Sequence, residues 1–163
     1  MSPTLDRQEA ERLAETYADL ILRLAYTYLN HTQDAQDICQ TVFLKLLEKA
    51  PAFASPAHEK AWIIRTTANA CKDLLKSHWH KTTVTLDAAA AVPAPQPEAG
   101  SLLEAVGRLP PPYRVVIYLY YYEGYSVEEV GRLIGRKAST VQTQLARGRE
   151  KLRALLREEG YHG

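Results

Sequence analysis

The chain has 163 residues, enough for one domain or two small ones, and 46% of them are hydrophobic, so a packed core is within reach. Charged residues make up an ordinary 24%, and no apolar run approaches the roughly 18 residues of a bilayer-spanning helix, which excludes a transmembrane reading. The net charge of +1 conceals an asymmetry: residues 1–57 carry five basic against eight acidic side chains, 58–84 five against two, and 132–157 eight against one. Two basic segments separated from an acidic one point to polyanion contact at two places.

The opening MSPTLDRQEAERLAE is polar and acidic, unlike a signal peptide. Tyr17, Leu20, Ile21, Leu24, Ala25 and Tyr28 then follow the spacing of one helix face, and the helix is predicted to end near Asn30. Ala35, Ile38, Cys39, Val42, Leu46 and Leu47 mark a second helix starting near Thr32 or Gln33. Asp34 and Asp37 lie in its opening turns, where carboxylates suit the macrodipole. Pro51–Lys60 reads as a loop with an exposed Phe53. A third helix is predicted from about Ala57 to Ser77, with Ala61, Ile64, Ala68, Cys71 and Leu75 inward and Arg65, Asn69, Lys72 and Lys76 along the other face. Trp62 reads as core and Trp79, past the helix, as exposed. His78 and His80 have no carboxylate or thiol beside them, so no metal site is expected. With no CxxC, Cys39 and Cys71 read as structural thiols of a reducing cytoplasm.

Residues 85–100, TLDAAAAVPAPQPEAG, hold three prolines in five positions and an alanine run, and read as a linker between halves 1–84 and 101–163. Leu102, Leu103 and Val106 begin a short helix that stops before Pro110-Pro111-Pro112. The aromatic run Tyr113–Tyr122 has strand propensity but sits between helical neighbours and is read as helix. Glu123-Gly124-Tyr125 turns the chain. Ser126 and Glu129 form an S-x-x-E capping box, Val127, Val130, Leu133 and Ile134 supply a buried face, and Gly135 suits a left-handed cap. Val141, Leu145, Gly148, Leu152 and Leu155 then trace a longer amphipathic helix. The whole is all-α: two small helical domains joined by a flexible linker.

A capped short helix, a glycine turn and a second helix with a basic outer face make the helix-turn-helix pattern, whose second helix fits a major groove. On that reading Ser139, Thr140, Gln142, Thr143 and Gln144 lie near base edges or flanking phosphates, and Arg136, Lys137, Arg147, Arg149 and Lys151 neutralise phosphates. The plainer alternative is a helical hairpin with a solvated basic face. The sequence contains no P-loop, glycine-rich phosphate cradle, HExxH or GxSxG, so neither an enzyme nor a cofactor is expected.

Three motifs carry a family resemblance. QDAQDICQTVFLKLL (Gln33–Leu47), AWIIRTTANACKDLLKS (Ala61–Ser77) and the stretch Leu109–Leu156 resemble, in the right order, conserved regions two and four of bacterial sigma-70 family sigma factors of the extracytoplasmic-function group. The resemblance implies a sigma region 2 bundle over 1–84, a linker over 85–100 and a region 4 helix-turn-helix over 101–163. It implies a polymerase-binding face of Asp34, Asp37, Gln40, Phe43, Leu44 and Leu47. Minus-ten contacts would come from Phe53, Lys60, Arg65, Asn69, Lys72, Asp73 and Lys76, with the loop shaping a pocket for a flipped base. Minus-thirty-five contacts would come from the ten helix-turn-helix residues named above. The implied partners are the beta and beta-prime subunits of RNA polymerase core, promoter DNA and an anti-sigma factor, around a cytoplasmic protein that is a monomer outside its complexes. Gln142-Thr143-Gln144 departs from the basic residue, Ser and Arg that members often carry. Gly131 stands where Ala is usual, at about 1 kcal/mol of helix propensity. Two rival readings are a LuxR-type helix-turn-helix regulator, which leaves the first half unexplained, and a polymerase-binding adaptor with a degenerate region 4.

Overall fold

The structure is a computed structural model that describes residues 7–49, 52–82 and 102–158, with the side chains of 78–82 and 102–104 left aside. These residues form two compact units, one within Met1–Val92 and one within Pro93–Gly163. The expected linker, 85–100, lies outside the described residues. Among the described residues there are only helices, turns and bends, and no helix is long and apolar enough to cross a membrane.

The first unit is a three-helix bundle of α1 (Arg7–Leu29), α2 (Thr32–Lys49) and α3 (Pro56–Thr82). The predicted stripe of α1 is buried from Leu13 and Tyr17 to Tyr28. The helix ends where Asn30 takes φ 52°, a left-handed conformation that asparagine tolerates better than most residues. His31 then caps α2: its Nδ1 accepts the Asp34 N–H at 3.2 Å, doing for the orphan donor what a serine or aspartate usually does. Ala35, Ile38, Val42 and Leu46 face inward.

The loop before α3 is shorter than the sequence pattern implies. Ser55 Oγ accepts the His58 N–H at 3.1 Å and Pro56 opens the helix. A Ser-Pro pair at this point is a start signal, because proline lacks the N–H that the first turn would leave unbonded. The connecting stretch after the expected Pro51 thus ends at Ser55, and Lys60 is helical. At the other end, nothing in Ser77-His78-Trp79-His80-Lys81 breaks a helix, and α3 continues to Thr82. Trp79 therefore sits on the helix backbone, although its side chain, with those of His78 and His80, is outside the described residues.

Between α1 and α3 lies a contact that periodicity does not reveal. The Glu59 carboxylate is 10% exposed and accepts from Arg12 Nη2 at 2.8 Å, Arg12 Nη1 at 3.3 Å and Tyr17 Oη at 2.6 Å. The Arg12 hydrogen bonds hold Glu59 below the usual carboxylate range, and hydrogen bonds to Glu9 and then Glu59 raise Arg12 above its ordinary value. Burial pushes the Cys71 thiol up to about 12 and raises Cys39 as well. Both cysteines are free thiols.

The second unit packs α4 (Leu102–Gly107), α5 (Pro111–Ile117), a π-helical turn (Tyr118–Tyr122), α6 (Val127–Ile134) and α7 (Ala138–Glu158). The helix that begins at Leu102 stops at Gly107, before the prolines as expected, and the prolines also begin the next helix. Pro110 is the N-cap, prolines occupy the first turn, and the Tyr113 and Arg114 N–H groups donate to the Pro110 carbonyl. Buried Arg114 donates to the Leu109 carbonyl at 2.6 Å and closes the α4–α5 connection. The tyrosine run is helical but widened: the Glu123 N–H reaches back five residues to the Tyr118 carbonyl at 3.1 Å. Tyr118 and Tyr122 stack at 5.3 Å, and Tyr118 Oη donates to Glu123 at 2.8 Å. Gly124, at φ 78°, makes the turn.

Helix α6 is bounded as its sequence requires. The Ser126 and Glu129 side chains and N–H groups bond reciprocally, and Gly135 ends the helix in the left-handed region. The Ser126 backbone holds the Glu129 carboxyl below its usual range. Val130, Leu133 and Ile134 are buried while Val127 is half-buried; on α7, Val141, Leu145 and Gly148 are buried while Leu152 and Leu155 are half-buried. Gly148 permits close approach of α7 to α5: a Cβ there would lie 2.8 Å from Ile117 Cδ1 and 3.3 Å from Tyr113 Cβ.

Candidate nucleic-acid interface

Three surfaces gather the residues singled out by sequence, and each sorts them. On α2, Gln40, Phe43, Leu44 and Leu47 line an open groove of about 520 Å³ with Leu22 of α1. Leu44 is 57% and Leu47 41% exposed, a large apolar surface to leave in water. Asp37 is exposed and accepts from Gln33 at 3.2 Å. Asp34 stands apart: it is half-buried at the helix start, with its carboxylate 3.4 Å from His31, and does not line the groove.

On α3, Arg65, Asn69, Asp73 and Lys76 are exposed and Lys72 is half-buried. Spacings of three and four keep them on one face. Lys60 does not join them; five residues before Arg65, it points about 140° away around the helix. Phe53 is half-buried rather than exposed, its ring edge-on to His58 at 5.5 Å and to Trp62 at 5.8 Å. Trp62, read from sequence as core, is itself only half-buried and heads the stripe three residues before Arg65. An aromatic cluster thus adjoins a run of cations and amide donors.

On the second unit, Ser139, Thr140, Thr143, Gln144, Arg147 and Lys151 line a groove of about 580 Å³ whose opposite wall is Pro110, Pro112 and Tyr113. Lys151 Nζ lies 5.7 Å above the Tyr113 ring, within the range of a cation–π contact. Arg136 donates to Gln144 Oε1 at 2.7 Å and to the Pro112 carbonyl at 3.3 Å. Lys137 is exposed in the turn before α7. Gln142 and Arg149 lie on the other flank of the helix, since residues two apart point about 160° from each other. Arg149 is half-buried and donates to Tyr121 Oη at 3.0 Å. Among the described residues, no three His, Cys, Asp or Glu side chains come together as a metal site would require.

Residues 13–81 match the family model of sigma-70 region 2, and residues 99–152 that of sigma-70 region 4. The ECF RNA polymerase sigma factor SigE of Mycolicibacterium smegmatis is 30% identical over 160 residues, covering 90% of this chain and 61% of that protein. The RNA polymerase sigma factor CarQ of Myxococcus xanthus is 30% identical over 131 residues, 76% of this chain and 75% of CarQ. The chain belongs to the sigma-70 family, in its extracytoplasmic-function group. The chain spans just over three fifths of the SigE relative's length. The sigma factor RpoE of Bartonella quintana, solved in complex with the anti-sigma factor NepR, has the same fold, with a TM-score of 0.73 at 20% identity over 90% of this chain and 96% of that one.

Sequence reasoning missed His58, Pro110, Pro112 and Tyr113 as parts of the surfaces. The Ser-Pro start of α3 was the available signal for His58, because it places that residue in the first turn beside the loop. Nothing local marks the prolines or Tyr113. They meet α7 only through tertiary packing, and Gly148, read simply as an inward position, is the residue that lets them approach.

Proposed function

We propose that the protein is a promoter-specificity subunit that binds RNA polymerase core and directs transcription initiation, with the polymerase performing all of the chemistry. The observation that carries this reading is the coexistence in one chain of an exposed apolar groove on α2 and two separate cation-rich surfaces, on α3 and α7. A DNA-binding regulator of the LuxR type has no use for the first two. The core subunits beta and beta-prime would cover Gln40, Phe43, Leu44 and Leu47, with Asp37 at the rim and Asp34 holding the start of α2. Arg65, Asn69, Lys72, Asp73 and Lys76 would follow the opening minus-ten strand, with Phe53 and Trp62 beside a flipped base. Prising out that base costs a few kcal/mol, which a fitted pocket converts to selectivity. The α7 groove would hold the minus-thirty-five element, with Ser139, Thr140, Thr143 and Gln144 near base edges and Lys137, Arg147 and Lys151 near phosphates. The working boundaries are 1–84 and 101–163, with 85–100 as tether.

This reading places the protein in the cytoplasm as a monomer between complexes. It also calls for an anti-sigma partner, because Leu44 and Leu47 need cover when core is absent. The deciding experiment is co-purification with core polymerase followed by run-off transcription on genomic fragments. Defined start sites that require the protein support the proposal. Core binding without any promoter-dependent start would favour the adaptor reading instead, and no core binding would sink both.

A further inference from the structure

The α7 groove contains an amide that is not free to choose its partner, and the consequence below rests on the promoter-reading role proposed for that groove. Gln144 Oε1 accepts from Arg136 Nη1 at 2.7 Å, and the same nitrogen reaches the Pro112 carbonyl at 3.3 Å. A guanidinium carries donors and no acceptor, so the amide atom facing it is the oxygen. Both residues are half-buried, which limits competition by water for this charge-assisted bond. Arg136 is itself anchored on two sides, because its own N–H donates to the Gly131 carbonyl at 2.9 Å while its guanidinium bridges to α5. With one of the two lone pairs on its oxygen taken, what Gln144 offers DNA most readily is the donor pair on Nε2. A glutamine reads adenine by using its oxygen on N6–H and its nitrogen on N7, whereas guanine presents two acceptors, N7 and O6. The oxygen keeps a second lone pair, but with the first in a charge-assisted bond and the amide plane set by Arg136, the adenine pair is disfavoured against guanine.

We infer that Arg136 is a positioning residue that biases Gln144 toward reading with its donors, so that one position of the minus-thirty-five element is read as guanine against adenine. The test uses the full chain with core polymerase on a promoter library randomised across the minus-thirty-five element. Wild type is expected to prefer guanine over adenine at one position by on the order of tenfold. Gln144→Ala removes that preference and leaves the other positions as they were. Arg136→Ala admits adenine at the same position, whereas Arg136→Lys, which keeps a donor beside Oε1, retains guanine. A merely structural Arg136 would lower output from every promoter alike without moving the preference, and that result overturns the inference. So does a wild-type preference for adenine there, or a Gln144→Ala protein with an unchanged profile. If circular dichroism shows that Arg136→Ala does not fold, Gln144→Glu decides the matter. It presents only acceptors, so the preference should pass from guanine to cytosine, whose N4 donates, and a retained guanine preference overturns the inference. A wild-type protein that uses defined minus-ten sequences but shows no minus-thirty-five preference overturns the promoter-reading role of α7 itself, whereas a preference indifferent to Gln144 leaves that role standing and removes only this step.

Discussion

Replacing Gly131 by alanine sets helix propensity against packing. Propensity alone favours the substitution by about 1 kcal/mol, because glycine in a helix interior gives up more backbone freedom than alanine. The structure gives the opposite sign. An added Cβ would lie 2.5 Å from the Arg136 carbonyl oxygen and 3.6 Å from the Ala138 nitrogen. The nearest atom is backbone, so no rotamer change relieves the clash, and the turn between α6 and α7 must move outward by several tenths of an ångström or more. That turn is tied on the same residue, since the Gly135 and Arg136 N–H groups both donate to the Gly131 carbonyl. Overpacking of this kind costs roughly 1–3 kcal/mol. Set against the propensity gain, the net is a destabilisation of up to about 2 kcal/mol confined to the second unit. Native-state hydrogen exchange on the full chain, read at the Val130 and Leu145 amides, separates this unit from the three-helix bundle. Gly124→Ala is the control: it has φ 78° but nothing within 4 Å of its Cβ, so its cost is backbone strain alone, about 1 kcal/mol. If Gly131→Ala slows exchange at those amides, propensity has outweighed packing and the reasoning about this turn is wrong.

Leu44→Asp should weaken core binding at least tenfold, since covering one leucine contributes about 1.5–3 kcal/mol, while Asp34→Lys should mainly lower helix stability; equal losses of binding in a pull-down would refute the division of that face. Glu59→Ala should cost the first unit about 2 kcal/mol, as expected for hydrogen bonds to a charged group with Arg12 partly solvated. Because Arg12 lowers the folded-state pKa of Glu59, its contribution is complete above the ordinary carboxylate value and is lost as pH falls through the lowered one; thermal melts from neutral to acid pH should therefore converge for wild type and Glu59→Ala. Arg147→Ala should weaken all promoters alike and reduce the salt slope by roughly one, whereas Arg149→Ala, removing a side chain already bonded to Tyr121, should change that slope less.

The parts of this fold legible in the sequence are those fixed by local chemistry. The stripe of α1, the capping box of Ser126 and Glu129 and the left-handed Gly135 all depend on residues within a few positions of one another, and each stands as its pattern requires. The Arg65–Lys76 face is equally local, since spacing alone puts it on one side of α3. Elsewhere a local signal was present but ambiguous. Proline ends one helix and begins another with the same chemistry, so Pro110-Pro111-Pro112 and Ser55-Pro56 could be placed only once the flanking residues had packed. The Glu59–Arg12–Tyr17 contact joins residues more than forty positions apart, and no periodicity points to it.

What was least legible is also what gives the α7 groove its shape. The proline start of α5 sets one wall. Gly148 brings α7 against Ile117 and Tyr113 on that wall. Gly131 lets the Arg136 carbonyl settle over α6, and this fixes where the Arg136 guanidinium emerges. Each of these positions departs from the preference of an isolated helix, either through a missing N–H or a missing side chain, and each is answered by a contact across the unit. A helix-turn-helix signature can therefore identify α7 as the recognition element from local residues alone. Which of its side chains share a groove, and which donors and acceptors they still have to offer, follows from these close approaches between helices. That is why Gln142, Thr143 and Gln144, adjacent and chemically alike in sequence, separate in the fold: Gln142 lies on the far flank, Thr143 lines the groove, and Gln144 reaches the groove with its oxygen already held by Arg136.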